Sequence, residues 1–69
     1  MKLSARNVLK GRVRSVVRGA VNSEVVIELE GGTQVVSIIT NGSADNLELA
    51  LDVEAYAVIK ASNVMVAVR

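Results

Sequence analysis

The sequence contains no cysteine, no histidine, no phenylalanine and no tryptophan, and its single aromatic residue is Tyr56. Without cysteine there is neither a disulfide nor a thiolate metal site. Without histidine the commonest zinc designs are gone as well. The usual acid–base pairs and the thiol nucleophile of enzymes go with them. The carboxylates fall at strand and turn positions two or four residues apart, where a solvated face accounts for them, so no catalysis is expected. No phosphate-loop spacing of glycines is present. One aromatic side chain is too few for the stacking platforms of single-strand nucleic-acid binders, so nucleic acid is an unlikely partner. No apolar run is long enough to span a bilayer as a helix. The opening Met1-Lys2-Leu3-Ser4-Ala5-Arg6 lacks the hydrophobic region of a signal peptide, so a cytoplasmic protein without a membrane partner is expected.

Acid is missing from the first eighteen residues, which carry Lys2, Arg6, Lys10, Arg12, Arg14 and Arg18. All seven acids (Glu24, Glu28, Glu30, Asp45, Glu48, Asp52 and Glu54) follow, and the net charge is only +1. Two readings are open: a basic strand paired with acidic ones, or a basic face for an anion or a nucleic acid. The 69 residues make one domain, 1–69, and such a short chain gains little from its own core. Its apolar fraction of 51% exceeds what one small core needs. With disulfides and thiolate metals excluded, oligomerisation is the remaining route to stability.

The alternation over 7–18 predicts a strand, with Leu9, Gly11, Val13, Ser15 and Val17 on one face and Lys10, Arg12, Arg14 and Arg18 on the other. Gly11 within it suggests a bend or bulge. Residues 18–23 read as a connection. A second strand runs from Glu24 to Glu30 with Val25, Ile27 and Leu29 inward. Gly31-Gly32 predicts a two-residue hairpin turn with positive φ. Thr33 to Thr40 is a third strand, apolar on both faces (Val35 and Ile39, Val36 and Ile38), which suggests a subunit interface. Ser43 is placed to cap a short helical turn over 44–47. Leu47, Leu49 and Leu51 are candidates to plug a barrel end. Glu54–Lys60 and Val64–Val68 complete five strands. The expected fold is all-β: a small five-stranded OB-like barrel with one short helical turn, oligomeric.

Two polar islands stand out, Ser4-Ala5-Arg6-Asn7 and Lys60-Ala61-Ser62-Asn63. Each offers a cation, a hydroxyl, an amide and backbone N–H groups, and neither holds a carboxylate. That donor set suits an anion.

Ser4-Ala5-Arg6-Asn7-x-Leu9-x-Gly11, Gly19, Glu24-Val25-Val26, Gly31-Gly32, Ser37-Ile38-Ile39-Thr40, Ser43 and Ala57-Val58-Ile59-Lys60 together resemble the Mop domain of molbindins, the molybdenum-pterin-binding proteins, from end to end and in their free-standing form. The resemblance implies an OB-like barrel, a homohexamer built as a trimer of dimers, and molybdate or tungstate as the bound ligand at subunit interfaces. It implies Ser4 and Arg6 from one chain, completed by Thr40, Ser43, Lys60 and the Ala61 N–H, some from a neighbour, with Ser62 a further candidate. A second site type near a threefold axis is placed at Val21, Asn22 and Ser23. Where the family often has glycine before the fourth strand this chain has Asp52, which tolerates left-handed backbone.

Each residue also has an ordinary reading. Arg6 could make an interface ion pair, Lys60 could be solvated, Ser43 could cap the helix, Thr40 could close a strand end, and Asn7 reads as a structural hydrogen-bonder. The expected function is intracellular oxyanion binding for storage or homeostasis. The alternatives are a small OB-like module for another anion or single-stranded nucleic acid, and a purely structural oligomer.

Overall fold

The computed structural model describes residues 1–69. Its elements are strands β1 (Asn7–Arg18), β2 (Asn22–Leu29) and β3 (Gln34–Thr40), helix α1 (Asn41–Asn46), strand β4 (Glu54–Ile59) and a 3₁₀ turn over Ala61–Asn63. The strands form one antiparallel sheet in the order β3-β2-β1-β4. The twelve-residue β1 is its spine. Its first half, Asn7–Arg12, pairs with β4, and its second half, from Gly11 on, pairs with β2. The Val13 N–H and C=O then hold the loop before β4 through Val53 O and Asp52 N, each at 2.9 Å. The sheet thereby curls into a half-barrel, open between β3 and β4.

Two features turn β1. At Gly11 both neighbours close in, opposite Leu29 and Ala55. A Cβ there would collide with the Glu28 carbonyl oxygen and lie 2.8 Å from Ile27 Cγ2. Glycine is thus required by close approach, at a position where the sequence suggested a bend or a bulge. The bulge lies three residues on, where Arg14 is the extra residue between Val13 and Ser15. It reverses the alternation, because an inserted residue shifts the pleat by one. Val16 therefore packs against the core and Val17 is 62% exposed, the opposite of the expected face.

β2 begins at Asn22, earlier than expected, and Ser23 joins the inward set as the one buried polar residue. The turn to β3 has three residues, Glu30–Gly32, where two were expected. Leu29 N–H reaches Thr33 O at 2.7 Å and Gly32 N–H reaches Leu29 O at 3.0 Å. Both glycines do have positive φ, 92° and 94°. β3 is apolar on both faces as expected: Val35 and Ile39 pack on the core, while Val36 and Ile38 are each 60% exposed.

The cap of α1 is Thr40, not Ser43. Its φ,ψ of −67°, 152° turns the chain from strand to helix, and its side chain accepts the Ser43 N–H at 3.1 Å. Ser43 stands inside the first turn. Asp52 has φ 70°, the left-handed conformation expected of it. Of the three leucines expected to plug the barrel, only Leu49 packs on the core; Leu47 and Leu51 are exposed.

The core is small. Val13, Val25, Ile27 and Ala57 are buried together, flanked by Val16, Leu29, Val35, Ile39, Leu49 and Ala55. The open side of the half-barrel is an apolar groove of about 690 Å³ whose walls include Val35, Ile39, Leu49, Ala55, Ala57 and Ile59. The expected fifth strand is not formed. Val64–Val68 has the strand pattern, but a strand exists only with a ladder partner. This segment runs clear of the sheet, with Met65, Val66 and Val68 all about nine-tenths exposed.

Candidate functional site

The cations divide into two groups. Arg14 pairs with Glu28 at 2.9 Å and Asp52 at 2.6 Å, Arg18 with Asp45 at 2.9 Å, and Lys10 with Glu54 at 3.6 Å. Arg12 donates to the Asp52 carbonyl at 2.9 Å. Register explains the Arg14–Glu28 and Lys10–Glu54 pairs, since β2 and β4, which flank β1, carry the glutamates. The guanidinium pKa values shift accordingly. Arg14 is raised, first by its hydrogen bond to Glu28 and then by that carboxylate's charge. Arg18 is raised by the hydrogen bond to Asp45, which is itself held below the usual carboxylate range by the same bond. The basic run along β1 is thus largely neutralised within the chain. Arg6 and Lys60 make no ion pair.

Those two cations lie at one end of the sheet. Asn7 pairs with Ile59, and its side-chain amide donates to the Ile59 carbonyl at 3.2 Å. This joins the two polar islands, as the ordinary reading of Asn7 expected. Ser4, Arg6, Lys60, Ala61 and Ser62 are all solvent-facing there. The 3₁₀ turn closes through Asn63 N–H to Lys60 O and Val64 N–H to Ala61 O, at 2.9 and 3.2 Å. Those bonds leave the Ala61 and Ser62 N–H groups without a partner inside the turn. One cluster therefore offers two cations, two hydroxyls and two backbone donors, and no carboxylate belongs to either segment.

Thr40 and Ser43 are elsewhere. Thr40 pairs with Asn22, and the adjacent Ser23 pairs with Arg18, so the Thr40–Ser43 corner sits at the opposite end of β1 from Asn7. Eleven residue steps of β1 lie between the two ends, roughly 36 Å of strand at about 3.3 Å per residue, along a path that bends at Gly11 and Arg14. Thr40 Oγ1 donates to Ser43 Oγ at 2.8 Å while accepting the Ser43 N–H. Ser43 is exposed, and accepting from Thr40 leaves its hydroxyl its own proton to donate.

Of the residues expected at a second site, Val21 and Asn22 are exposed, but Ser23 is 1% exposed and donates inward to Asn41 Oδ1 at 2.6 Å. As it stands, Ser23 is not a solvent-facing donor. No role beside a site was expected of Asn41. A signal for it existed: Ser23 shares the inward parity of Val25 and Ile27, and a hydroxyl on an inward face needs a buried partner.

A TOBE domain model matches residues 3–66. The chain is 47% identical over 68 residues to a probable molybdenum-pterin-binding protein of Haemophilus influenzae, covering 99% of both proteins. The chain belongs to the molbindin family. Solved molbindin structures superpose closely. MopII from Clostridium pasteurianum has a TM-score of 0.92 at 40% identity, covering 97% of this chain and all of that one. The cytoplasmic molybdate-binding protein ModG, solved with molybdate bound, has a TM-score of 0.91 at 48% identity; it covers 94% of this chain, which spans 46% of it. This molbindin is accordingly a mostly β protein whose curled antiparallel sheet carries one small helix. The strand count within one chain is four, one fewer than expected.

Proposed function

We propose that this molbindin is a cytoplasmic molybdate-binding protein, taking tungstate in the same site, which stores or buffers the oxyanion without catalysis. The relatives' names and the ModG complex support the ligand. The donor sets support its chemistry. Molybdate is a fully deprotonated tetrahedral dianion near neutral pH, and its four oxygens only accept hydrogen bonds. Ser4, Arg6, Lys60, the Ala61 N–H and Ser62 form one donor group; Thr40 and Ser43 form the other. Hydrogen phosphate has a proton that needs an acceptor, and with no carboxylate in either group only hydroxyl lone pairs are left to take it, which disfavours phosphate. Sulfate has no such handicap and is rejected by size.

One observation carries the location of the sites. The two donor groups lie at opposite ends of β1, so no single chain brings them to one anion. A complete site draws Ser4, Arg6, Lys60 and Ala61 from one protomer and Thr40 and Ser43 from another. The homohexamer, a trimer of dimers, is the assembly we propose. The apolar surface supports it: Val36 and Ile38 on the outer face of β3, the open groove, and the unpaired strand-patterned Val64–Val68 all gain partners from a second copy. Val21 and Asn22 remain our candidates for a further site near the threefold axis, with Ser23 behind them.

The runner-up is a small OB-like module for another anion or single-stranded nucleic acid; its nucleic-acid form needs free cations along β1, and Lys10, Arg14 and Arg18 are already paired with carboxylates. The test is a molybdate titration followed by native mass spectrometry. We expect six subunits with several molybdates per hexamer, and calorimetry in which tungstate competes and phosphate does not. Equal affinity for phosphate would overturn the selective reading. Tight, salt-sensitive binding of single-stranded RNA that molybdate leaves undisturbed would favour the runner-up.

A further inference from the structure

Helix α1 has six residues, among them Gly42, Ser43 and two asparagines, and its C-terminal neighbours are exposed. A helix that short does not hold itself in water. Its position, and with it the direction of the Thr40 and Ser43 hydroxyls, depends on what ties it to the sheet. Two ties exist. Arg18 grips Asp45 with both guanidinium nitrogens, at 2.9 and 3.3 Å, but both side chains are more than half exposed and the pair is open to screening.

The inner tie is Asn41, which stands between the two hydroxyl residues. Its backbone N–H donates to Val21 O at 2.9 Å. Its side-chain Nδ2 donates to Gly19 O at 3.0 Å, and its Oδ1 accepts the Ser23 hydroxyl at 2.6 Å. Three hydrogen bonds thus reach three points of the 19–23 turn. That turn is closed on itself by Gly19 N–H to Asn22 O at 2.8 Å. The Gly19 carbonyl, which can only accept, settles which way the amide faces, with Nδ2 toward Gly19 and Oδ1 toward Ser23. An asparagine amide presents an acceptor on one side and donors on the other. The buried Ser23 hydroxyl can donate or accept, and it donates to the Oδ1 so placed. Remove that hydroxyl, and the Oδ1 loses its buried donor and the amide is held from its Nδ2 side alone.

We propose that Ser23 is a positioning residue for oxyanion binding: through Asn41 it aims the Thr40–Ser43 hydroxyl pair at the anion before the anion arrives. The inference rests on our reading of Thr40 and Ser43 as ligands. It gives Ser23 an indirect part, acting from behind the surface rather than as a contact at a second site.

The experiment compares Ser23→Thr with Ser23→Val, which have nearly the same shape and differ by the hydroxyl. Each is made with Ser43 intact and with Ser43→Ala, and each full-length protein is titrated with sodium molybdate by calorimetry. With Ser43 intact we expect Ser23→Val to bind about five- to tenfold more weakly than Ser23→Thr. With Ser43→Ala the gap should narrow, because one of the two hydroxyls being aimed is gone. Equal binding by the two Ser23 variants, or a gap that persists unchanged without Ser43, overturns the positioning role. If Ser43→Ala alone binds as well as the unaltered chain, the ligand reading itself has failed and the positioning role falls with it. Amide hydrogen exchange on the unaltered protein tests the same point without any variant. The Asn41 N–H should be protected in the absence of molybdate. Protection that appears only when molybdate is added would mean that the anion builds the corner, and would overturn the proposal.

Discussion

Gly11 shows how one residue can fix the course of a strand. It lies where β2 and β4 both approach β1, and the nearest atoms to its missing Cβ are backbone atoms of Glu28 and the branched side chain of Ile27. Neither can move aside cheaply. Gly11→Ala is therefore expected to destabilise the fold by about 1–3 kcal/mol, the usual cost of forcing a methyl into a packed site. Urea unfolding at fixed protein concentration measures it. Gly31→Ala should also destabilise, but through its φ of 92° alone, since nothing lies near its Cβ position. The glycine at 11 was legible as a departure from strand composition. Its cause was not, because the colliding carbonyl belongs to a residue seventeen positions away whose register the sequence does not state. Asp52 was legible in full: a residue type that tolerates left-handed backbone stood at a turn and is found at φ 70°. Arg6 makes no ion pair within the chain. As a cation without an intrachain partner beside Lys60, it should lose much of its molybdate affinity on replacement by alanine, while native mass spectrometry still finds the oligomer intact. Dissociation with unchanged intrinsic affinity would mark it as an interface residue instead.

Among the elements, β1 and α1 carry the organisation of the site. The alternation of β1 was readable up to Val13 and misleading after it, because the extra residue at Arg14 inverts the faces of Val16 and Val17. Nothing local marks such an insertion; the inserted residue is an arginine that would be exposed in either phase. The short helix was expected, and its cap was misassigned by three residues because Thr40 and Ser43 are both good caps and tertiary pairing decides between them. The chain end of α1 gives a pH prediction. Asp45 has its pKa lowered, first by the hydrogen bond from Arg18 and then by its charge. A carboxylate with a lowered folded-state pKa contributes stability that is fully present above its unfolded value and is lost as pH falls through the lowered one. The thermal midpoint of the unaltered chain should therefore exceed that of Asp45→Asn at neutral pH and low salt. The two should converge as pH drops below the ordinary carboxylate range. Because the pair is exposed, the neutral-pH difference should also shrink in high salt. A difference that survives both treatments would show that Asp45 acts through something other than Arg18.

For the whole molecule, the decisive misfit is the fifth strand. Val64-Met65-Val66-Ala67-Val68 has the composition of a strand, and the half-barrel has a vacant side flanked by the edges of β3 and β4, lined by Val35, Ile39, Ala57 and Ile59. Both halves of a strand-and-groove pair are thus present in one chain, yet Met65, Val66 and Val68 remain about nine-tenths exposed. An isolated chain in this form exposes apolar area on both partners. In the assembly we propose, each copy covers the other's, and the same contact brings Thr40 and Ser43 of one protomer toward Arg6 and Lys60 of the next. Two properties that are separate in the sequence, the apolar excess and the split donor set, then have one cause. Deleting residues 64–69 should lower the subunit count in native mass spectrometry and weaken molybdate binding together. Loss should be greatest at low protein concentration, since a ligand held only by the oligomer stabilises it by mass action. Added molybdate should partly restore the assembly of the shortened chain. A deletion variant that keeps six subunits and full affinity would separate the tail from both, and would leave the outer face of β3, Val36 and Ile38, as the surface on which the copies meet.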